Sequence, residues 1–465
     1  MMRVAHYIYA TATAFFSARR ESCLLFSRKS PDEFSAGLSP QNSRQHWRRA
    51  LFMLLLPLCL SLACATSSDS RRVTVTFWHG MESGINNKIL QAKIDRFNAA
   101  HPDIYIDAQV YGAADQLGPK LDAAVAGRTP PDLLWWSPAF FPKYAAAGAL
   151  RSLDDFIAQD SSFNRADVYD DLWELGSFDG RIYVTPFSAN NLGIYYNKRM
   201  LAEAGITEAP QTWDEFRAAA KKLTRNGVFG FQIPIGTSEW TVWTWQCFLW
   251  QAGGEILTPD KKSAAFNSPA GVAALDFWRA LLDDGVANFS ETDAGYKPDN
   301  ILAGRIAMTI NGPWNYAALK EQKDAEIGVF ALPRMARAAT NIGGESLFLF
   351  KTDARRERAA WEFMKFVMSP DFQVDWAMNT GYLPVAKSAA NDPRYQAFLQ
   401  ANPFIRAYND QMPVGRTRPS IPQYPALSQT LGKYLEAALY GKLSSKDALD
   451  RAAAEVNSLL QSSGS

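Results

Sequence analysis

The chain has 465 residues, of which 47% are hydrophobic and 20% are charged, a composition typical of folded proteins rather than disordered ones. Its 48 basic and 47 acidic residues leave a net charge of +1, which argues against a basic nucleic-acid-binding surface or attraction to an anionic membrane. The length predicts two or three domains, and the charge balance favours a small or neutral partner.

The first 65 residues have the features of an export signal with a long N-terminal extension. A pair of arginines precedes an apolar run, residues 50–65, which has the length of a signal-peptide core and is short for a membrane span. The run ends in Ala-Cys-Ala, which matches a cleavage site, although its Cys64 could instead be a lipidation site. Once the signal is removed, Cys247 is the one cysteine left with a free side chain, because Cys64 is either removed or carries the lipid. No intramolecular disulfide is therefore expected. We predict a periplasmic or extracellular protein, free or anchored by a lipid on Cys64.

A β-α-β unit follows the export signal. Alternating apolar residues predict a strand over 73–77, and apolar residues at i, i+4 and i+7 predict a helix over 90–97. A second alternating strand over 104–110 completes the unit, which implies a parallel sheet. A further buried strand is predicted over 130–136, and residues 185–197 read as a turn followed by a strand.

Capping residues mark helices further along the chain. Residues 212–215, Thr-Trp-Asp-Glu, form a capping box. The Ser-Pro pair at 268–269 starts another helix, which Gly285 ends. An amphipathic helix is predicted over 358–370, and the C-terminal third reads as mostly helical. The fold class is therefore α/β. The sequence shows no clear linker between domains, which fits two lobes that are each built from discontinuous segments.

Residue patterns for catalysis are mostly missing from the sequence. After residue 65 there are two histidines, His79 and His101, so a histidine-based metal site or catalytic triad is not expected. Acidic pairs such as 154–155 and 283–284 could suggest the two carboxylates of a secreted glycoside hydrolase. Adjacent acids more often lie on solvated faces or at helix ends. We predict neither an enzyme nor a bound cofactor or metal.

Tryptophans are the positive indication of function. The sequence EWTVWTWQCFLW (239–250) holds four of them, Trp136 ends a predicted strand, and Trp314 directly follows the strand stopper Asn-Gly-Pro. Any one of these rings could be core packing. A ring just past a strand end, however, lies at the edge where open α/β sheets bind ligands. Flat rings suit the apolar faces of sugars, which makes Trp314 the strongest candidate.

Seven short motifs, spread over most of the chain, resemble motifs of a known protein family. They are AMTINGPW (307–314), FWHGME (77–82), FNAAHPDIYI (97–106), YYNKRMLAEAGI (195–206), TWDEF (212–216), IGGESLF (342–348) and TGYLP (380–384). In these motifs the chain resembles the extracellular solute-binding proteins of ABC importers (family 1), in the branch that binds sugars and glycerol 3-phosphate. AMTINGPW is similar to the maltodextrin-binding segment whose tryptophan stacks on sugar.

The resemblance implies a type II-like periplasmic-binding-protein fold, with two lobes that close at a hinge. On this basis lobe 1 comprises 66–185 and 318–370, and lobe 2 comprises 186–317 and 371–465. The ligand contacts it implies are Glu82, Trp136, Asn190, Asn191, Trp240, Trp243, Trp314, Gly343, Gly344, Tyr382 and Arg418. It further implies a monomer that delivers a carbohydrate to membrane permease subunits and binds no nucleic acid.

Other interpretations remain open at this point. Tyr382 could be a core ring, Arg418 a surface charge, and Asn190 and Asn191 ordinary turn residues. The same fold could bind glycerol 3-phosphate or a glycerophosphodiester, and it could signal to a receptor instead of a permease. The Ser-Pro pair after residue 136 replaces an acidic residue of the glycerol-3-phosphate binder, and the Asn-Gly-Pro-Trp turn replaces its serine-rich turn. Both departures favour a neutral sugar.

Overall fold

The computed structural model describes residues 72–81, 84–112, 114–236, 239–292, 296–322, 324 and 326–462. The predicted export signal with Cys64, and the predicted ligand contact Glu82, lie outside these residues. The strands of the described part are Val73–His79 (β1), Ile104–Val110 (β2), Leu133–Trp136 (β3), Ser177–Phe178 (β4), Arg181–Ile182 (β5), Val184–Pro186 (β6), Gly193–Asn197 (β7), Phe231–Ile233 (β8), Ala287–Phe289 (β9), Met308–Asn311 (β10), Ile327–Ala331 (β11), Thr340–Asn341 (β12), Ser346–Leu349 (β13) and Gly415–Arg416 (β14).

The α-helices of the same part are Gly84–Ala100 (α1), Ala114–Ala126 (α2), Phe141–Ala146 (α3), Asp154–Gln159 (α4), Asp170–Leu175 (α5), Lys198–Glu203 (α6), Trp213–Leu223 (α7), Glu239–Gln251 (α8), Pro269–Asp283 (α9), Asp299–Leu302 (α10), Tyr316–Glu321 (α11), Ala354–Met368 (α12), Pro370–Thr380 (α13), Lys387–Ala390 (α14), Pro393–Ala401 (α15), Pro403–Asn409 (α16), Tyr424–Leu439 (α17) and Ser445–Ser462 (α18). No helix in this part combines the length and apolar character that a membrane span needs.

Two five-stranded sheets organise the described part of the chain. The first has the order β2-β1-β3-β13-β6, in which β1 is parallel to β2 and β3 and antiparallel pairing joins β13 to β3 and β6. Val75 and Phe77 are fully buried, as their alternation predicts, and they share a core cluster with Leu90, Ile94 and Phe97 of α1. The predicted β-α-β unit is therefore confirmed.

The second sheet has the order β11-β7-β10-β8-β9. Its main core cluster includes residues of α7, α8, α9, α17 and α18. From Thr241 to Gln251 every residue of α8 is buried, because this helix lies inside the cluster rather than on its surface. The predicted capping box is present, since Thr212 Oγ1 accepts from Glu215 N and Glu215 Oε2 accepts from Thr212 N, each at 3.2 Å.

Two segments cross between the sheets. The first connects β6 to β7, and the second, which includes β12, connects β11 to β13. They are hydrogen-bonded to each other, since Asn190 N donates to Gly343 O at 3.1 Å and Gly343 N donates to Asn190 O at 2.9 Å. Paired extended segments of this kind can act as a hinge, because a few backbone angles there reorient one sheet against the other.

The sheet pairing corrects part of the predicted lobe boundaries. Strand β11, which we predicted in lobe 1, pairs with β7 in the second sheet. Helix α13, which we predicted in lobe 2, contacts α1 of predicted lobe 1, since Lys93 Nζ lies 6.0 Å from the Phe372 ring centroid and pairs with Asp375. The chain thus returns to each sheet later than the resemblance implied, and local sequence does not reveal such long-range pairing. The rest of the division stays a prediction.

Candidate functional site

Three tryptophans meet at the edge of the second sheet. Trp240 and Trp243 lie one turn apart near the start of α8, and Trp314 follows the end of β10 in a short 3₁₀ turn. The ring centroid of Trp314 lies 5.8 Å from that of Trp240 and 6.1 Å from that of Trp243. The ring centroids of Trp240 and Trp243 are 5.6 Å apart. The structure therefore brings Trp314 against two rings that lie about 70 residues earlier in the sequence.

The turn that carries Trp314 is fixed by its neighbours. Gly312 O accepts a hydrogen bond of 2.6 Å from Tyr195 Oη, and Asn315 Nδ2 donates to Asn311 Oδ1 at 3.1 Å. A Cβ atom at Gly312 would collide with the Trp314 ring, so only glycine lets the ring fold back over the turn. The half-buried Trp314 packs against core clusters of both sheets, which places it where the two halves of the molecule meet.

Several buried polar atoms in this region find no hydrogen-bond partner within the described part of the chain. The indole Nε1 groups of Trp240, Trp243 and Trp314 are buried and donate to no atom of the described residues, and Asn190 Oδ1 accepts from none. A buried polar group without a hydrogen bond is costly, so such atoms usually have a partner or a role. The core rings Trp245, Trp278 and Trp376 also have unpartnered Nε1 groups, so the indication of a ligand is the grouping of three such donors with Asn190 Oδ1. This grouping matches a ligand with both hydroxyl groups and apolar faces.

A buried ion pair borders the rings. Arg418 Nη1 lies 2.9 Å from Glu239 Oε1, and the Arg418 guanidinium carbon lies 5.5 Å from the Trp243 ring centroid. The Arg418 side chain is 6% exposed, so the prediction of a buried cleft residue fits better than a surface charge. Glu239 also accepts hydrogen bonds from the hydroxyls of Tyr424, at 2.8 Å, and Ser428.

The glycine pair of the second crossing segment makes room for protein atoms. A Cβ at Gly343 would lie 2.6 Å from Trp243 Cζ2 and would collide with Asn190 Oδ1. Gly344 has a φ of +115°, and a Cβ there would collide with Ser188 O. Both glycines thus allow close packing of the crossing segments. Their predicted contact with a ligand stays a prediction.

Glu345 joins the site although the sequence analysis did not select it. Burial raises the pKa of its carboxyl group to about 7, against the opposing effects of a hydrogen bond from Ser188 and the charge of Arg418. Burial and the charge of Glu345 also raise the pKa of Tyr382 well above its usual value, so the Tyr382 hydroxyl keeps its proton. Arg418, Glu345 and Tyr382 therefore form one electrostatic group.

The raised pKa of Glu345 gives a testable pH dependence. The folded state holds this proton more tightly than an unfolded chain with the ordinary value of 4.5, so its contribution to stability is complete below pH 4.5 and is lost as the pH rises through about 7. The loss amounts to roughly 3 kcal/mol. We expect Glu345→Gln to remove this part of the pH dependence. Urea unfolding of both proteins at pH 4.5 and 8 measures it, and identical pH slopes would contradict the assignment.

Two predicted contacts lie apart from the tryptophan cluster. Trp136 is 6% exposed, its ring stacks on Phe140 at 4.4 Å, and it packs in a separate core cluster. Asn191 is fully buried, and its Nδ2 donates to Tyr408 O at 2.8 Å. Trp136 Nε1 and Asn191 Oδ1 find no hydrogen-bond partner among the described residues, and the ligand contacts of both residues stay predictions.

Glu239 and Glu345 were missed because their importance depends on distant partners. Glu239 directly precedes Trp240, and Glu345 directly follows Gly344. Each therefore stood inside a motif that the sequence analysis used. The signal that could have found them is an acidic residue flanking a predicted ligand contact.

Comparisons with known proteins agree with the fold. A family model described as "Bacterial extracellular solute-binding protein" matches residues 92–403. The cyclic alpha-maltosyl-1,6-maltose binding protein from Arthrobacter globiformis is 33% identical in sequence, with a TM-score of 0.71 over 84% of this chain and 99% of that one. An ABC transporter solute-binding protein from Thermotoga lettingae, bound with alpha-D-tagatose, is 26% identical, with a TM-score of 0.74 over 83% and 99%. The predicted two-lobed α/β fold is confirmed by this likeness.

Two relatives known by sequence are named for different classes of ligand. The maltotriose-binding protein of Pyrococcus abyssi is 25% identical over 364 residues, which cover 76% of this chain and 74% of that protein. The sn-glycerol-3-phosphate-binding periplasmic protein UgpB of Escherichia coli (strain K12) is 25% identical over 430 residues, which cover 86% and 96%. Sequence identity therefore does not separate the two ligand classes.

Proposed function

Because the chain belongs to the family of bacterial extracellular solute-binding proteins, we propose that it captures a carbohydrate outside the cell and delivers it to the permease subunits of an ABC importer. The family consists of binding proteins, so this function makes and breaks no covalent bond. The predicted class of ligand is a sugar, an oligosaccharide or a glycoside. The chain acts as a monomer in this proposal.

The tryptophan cluster is the observation that carries the proposal. A sugar ring has apolar faces edged by hydroxyl groups, and it can stack on an indole while its hydroxyls meet polar groups at the rim. Trp314 offers the stacking face, with Trp240 and Trp243 as further walls. Their unpaired Nε1 groups and Asn190 Oδ1 supply donors and an acceptor. Similarity to proteins named for maltose-derived and tagatose ligands supports the same class.

Capture uses the two crossing segments as a hinge. The site borders both segments, through Asn190 on the first and Gly343 on the second. A ligand that touches groups on both lobes stabilises the closed arrangement, because it binds that arrangement more tightly. Arg418, which lies beside the Trp243 ring, is a polar contact in this proposal, and Tyr382 and Glu345 are further candidates.

A thermal-shift panel tests the ligand class. A ligand that binds only the folded state raises the melting temperature, so we expect a shift with at least one neutral sugar among mono-, di- and trisaccharides. Glycerol 3-phosphate and glycerophosphocholine should give no shift at equal concentration. The alternative, glycerophosphate capture, rests on the relatives of the UgpB type. A shift with the phosphate compounds alone would replace the proposal by that alternative.

The proposal places the protein outside the cytoplasm, in the periplasmic or extracellular space. The family is extracellular, and residues 1–65 have the pattern of an export signal. The mature chain then begins near Thr66, or at Cys64 with a lipid attached. Mass spectrometry of the exported protein distinguishes the two forms, and an exported chain that retains Met1 would contradict both.

A further inference from the structure

The ion pair beside the tryptophans bears on which ligands the site accepts. Arginine is well suited to bind phosphate, because its planar guanidinium offers paired donors and a permanent charge. Arg418 lies beside Trp243 and would be the natural phosphate contact in this cleft. Its charge, however, is already engaged by Glu239 at 2.9 Å.

We propose that Glu239 is a specificity-determining residue that excludes phosphate-bearing ligands by neutralising Arg418, which leaves the site selective for neutral carbohydrates. The inference rests on the proposed function, since it specifies the ligand class of the same site. Glu239 acts through Arg418, as a positioning residue, and needs no direct contact with the ligand.

Three contacts hold the Glu239 carboxylate in this role. Its oxygens accept hydrogen bonds from Arg418 Nη1, from Tyr424 Oη and from Ser428 Oγ. The Tyr424 hydroxyl is itself oriented, because it accepts from Gln246 Nε2 at 2.9 Å. The Glu239 side chain is 18% exposed, so little water competes with these partners. A carboxylate held in this way cannot swing aside for an incoming anion without losing all three bonds.

A second carboxyl group increases the barrier to anions. The charge of Arg418 also acts on Glu345, where it lowers the pKa of the carboxyl group against the larger opposite effect of burial. With a pKa of about 7, Glu345 carries a partial negative charge at neutral pH. A phosphate in this region would therefore meet one paired cation and two acidic groups, and like charges in a poorly solvated site repel strongly.

Calorimetric titration of variants with inorganic phosphate, glycerol 3-phosphate and the best neutral saccharide tests the inference. Glu239→Gln keeps the side-chain shape and an acceptor oxygen but removes the charge. We expect it to bind glycerol 3-phosphate at least tenfold more tightly than the wild type does, with less than a tenfold change in saccharide affinity. Adding Arg418→Gln to this variant should abolish the gain, because the gain depends on the released guanidinium.

Glu255→Gln is the matched control. Glu255 pairs with Arg416 at 2.8 Å, two residues before Arg418, but the pair is more exposed. We expect no gain in phosphate binding from this change. If Glu239→Gln does not fold, Glu239→Asp is the second variant, and its shortened carboxylate should give a smaller gain of the same sign.

The outcomes separate the inference from the proposed function. A wild type that binds a saccharide, with position-239 variants that gain no phosphate affinity, overturns the inference and leaves the function standing. A wild type that binds no saccharide, with a Glu239→Gln variant that gains phosphate affinity, supports the inference and overturns the function. Tight binding of glycerol 3-phosphate by the wild type overturns both.

Discussion

Trp314→Ala is expected to weaken saccharide binding roughly 5- to 150-fold while the protein stays folded. The ring is half-buried and meets Trp240 and Trp243, so its loss removes a stacking face. By analogy with bases stacked on aromatic rings, such a face contributes about 1–3 kcal/mol, which corresponds to the stated change in dissociation constant. Trp314→Phe should recover part of the loss, because a smaller flat face remains. Calorimetric titration of each variant measures the effect.

Trp278→Ala is the matched control for Trp314→Ala. Trp278 is fully buried in the main cluster of the second sheet and packs on Phe248, away from the candidate site. Deleting so large a core ring should lower the free energy of unfolding by about 3–5 kcal/mol, with wild-type affinity in the folded fraction. If Trp314→Ala shows this same pattern, Trp314 is only packing and its proposed role is wrong.

Gly344→Ala is expected to lower the free energy of unfolding by roughly 2–6 kcal/mol. Gly344 has a φ of +115°, a backbone conformation that costs other residues about 1–3 kcal/mol. A Cβ there would also lie 2.8 Å from Ala189 Cα in the other crossing segment, and overpacking adds about 1–3 kcal/mol. Urea denaturation measures the change. The loss should be accompanied by weaker ligand binding, because the two segments form the proposed hinge.

Gly285→Ala provides the comparison, because Gly285 also has a positive φ but has no neighbouring atoms that a Cβ would touch. Gly285 has a φ of +70° at the end of α9, and a Cβ there would meet nothing within 4 Å. We expect a loss of about 1–2 kcal/mol, which is the cost of a left-handed conformation alone. Equal losses at the two glycines would show that the crossing segments tolerate a side chain at position 344.

Local features of the fold could be predicted from the sequence, because their causes lie within a few residues. The capping box at Thr212 depends on a residue three positions away, and the strand at Val75 and Phe77 depends on alternation. The partner of β11 could not be predicted in this way. Its pairing with β7 joins residues more than 100 positions apart, and several strands of similar composition compete for the same neighbour.

The candidate site shows the same division. Trp240, Trp243 and Trp314 were selected by motif, and the structure brings them together. The partner of Arg418 was missed, because Glu239 lies 179 positions away and an acidic residue at a helix start usually interacts with the helix dipole. Charge pairing across a fold is set by tertiary structure, which a single sequence does not report.

A crystal structure of the protein with the saccharide that gives the largest thermal shift tests the central claim most directly. We expect a sugar ring to stack on Trp314 between the two lobes, with hydroxyl groups bonded to indole Nε1 groups and Asn190, and with the Arg418–Glu239 pair intact. Saccharide bound only elsewhere, for example in the surface cavity beside Phe156 and Trp361, with no ligand at the tryptophan cluster, would contradict the account.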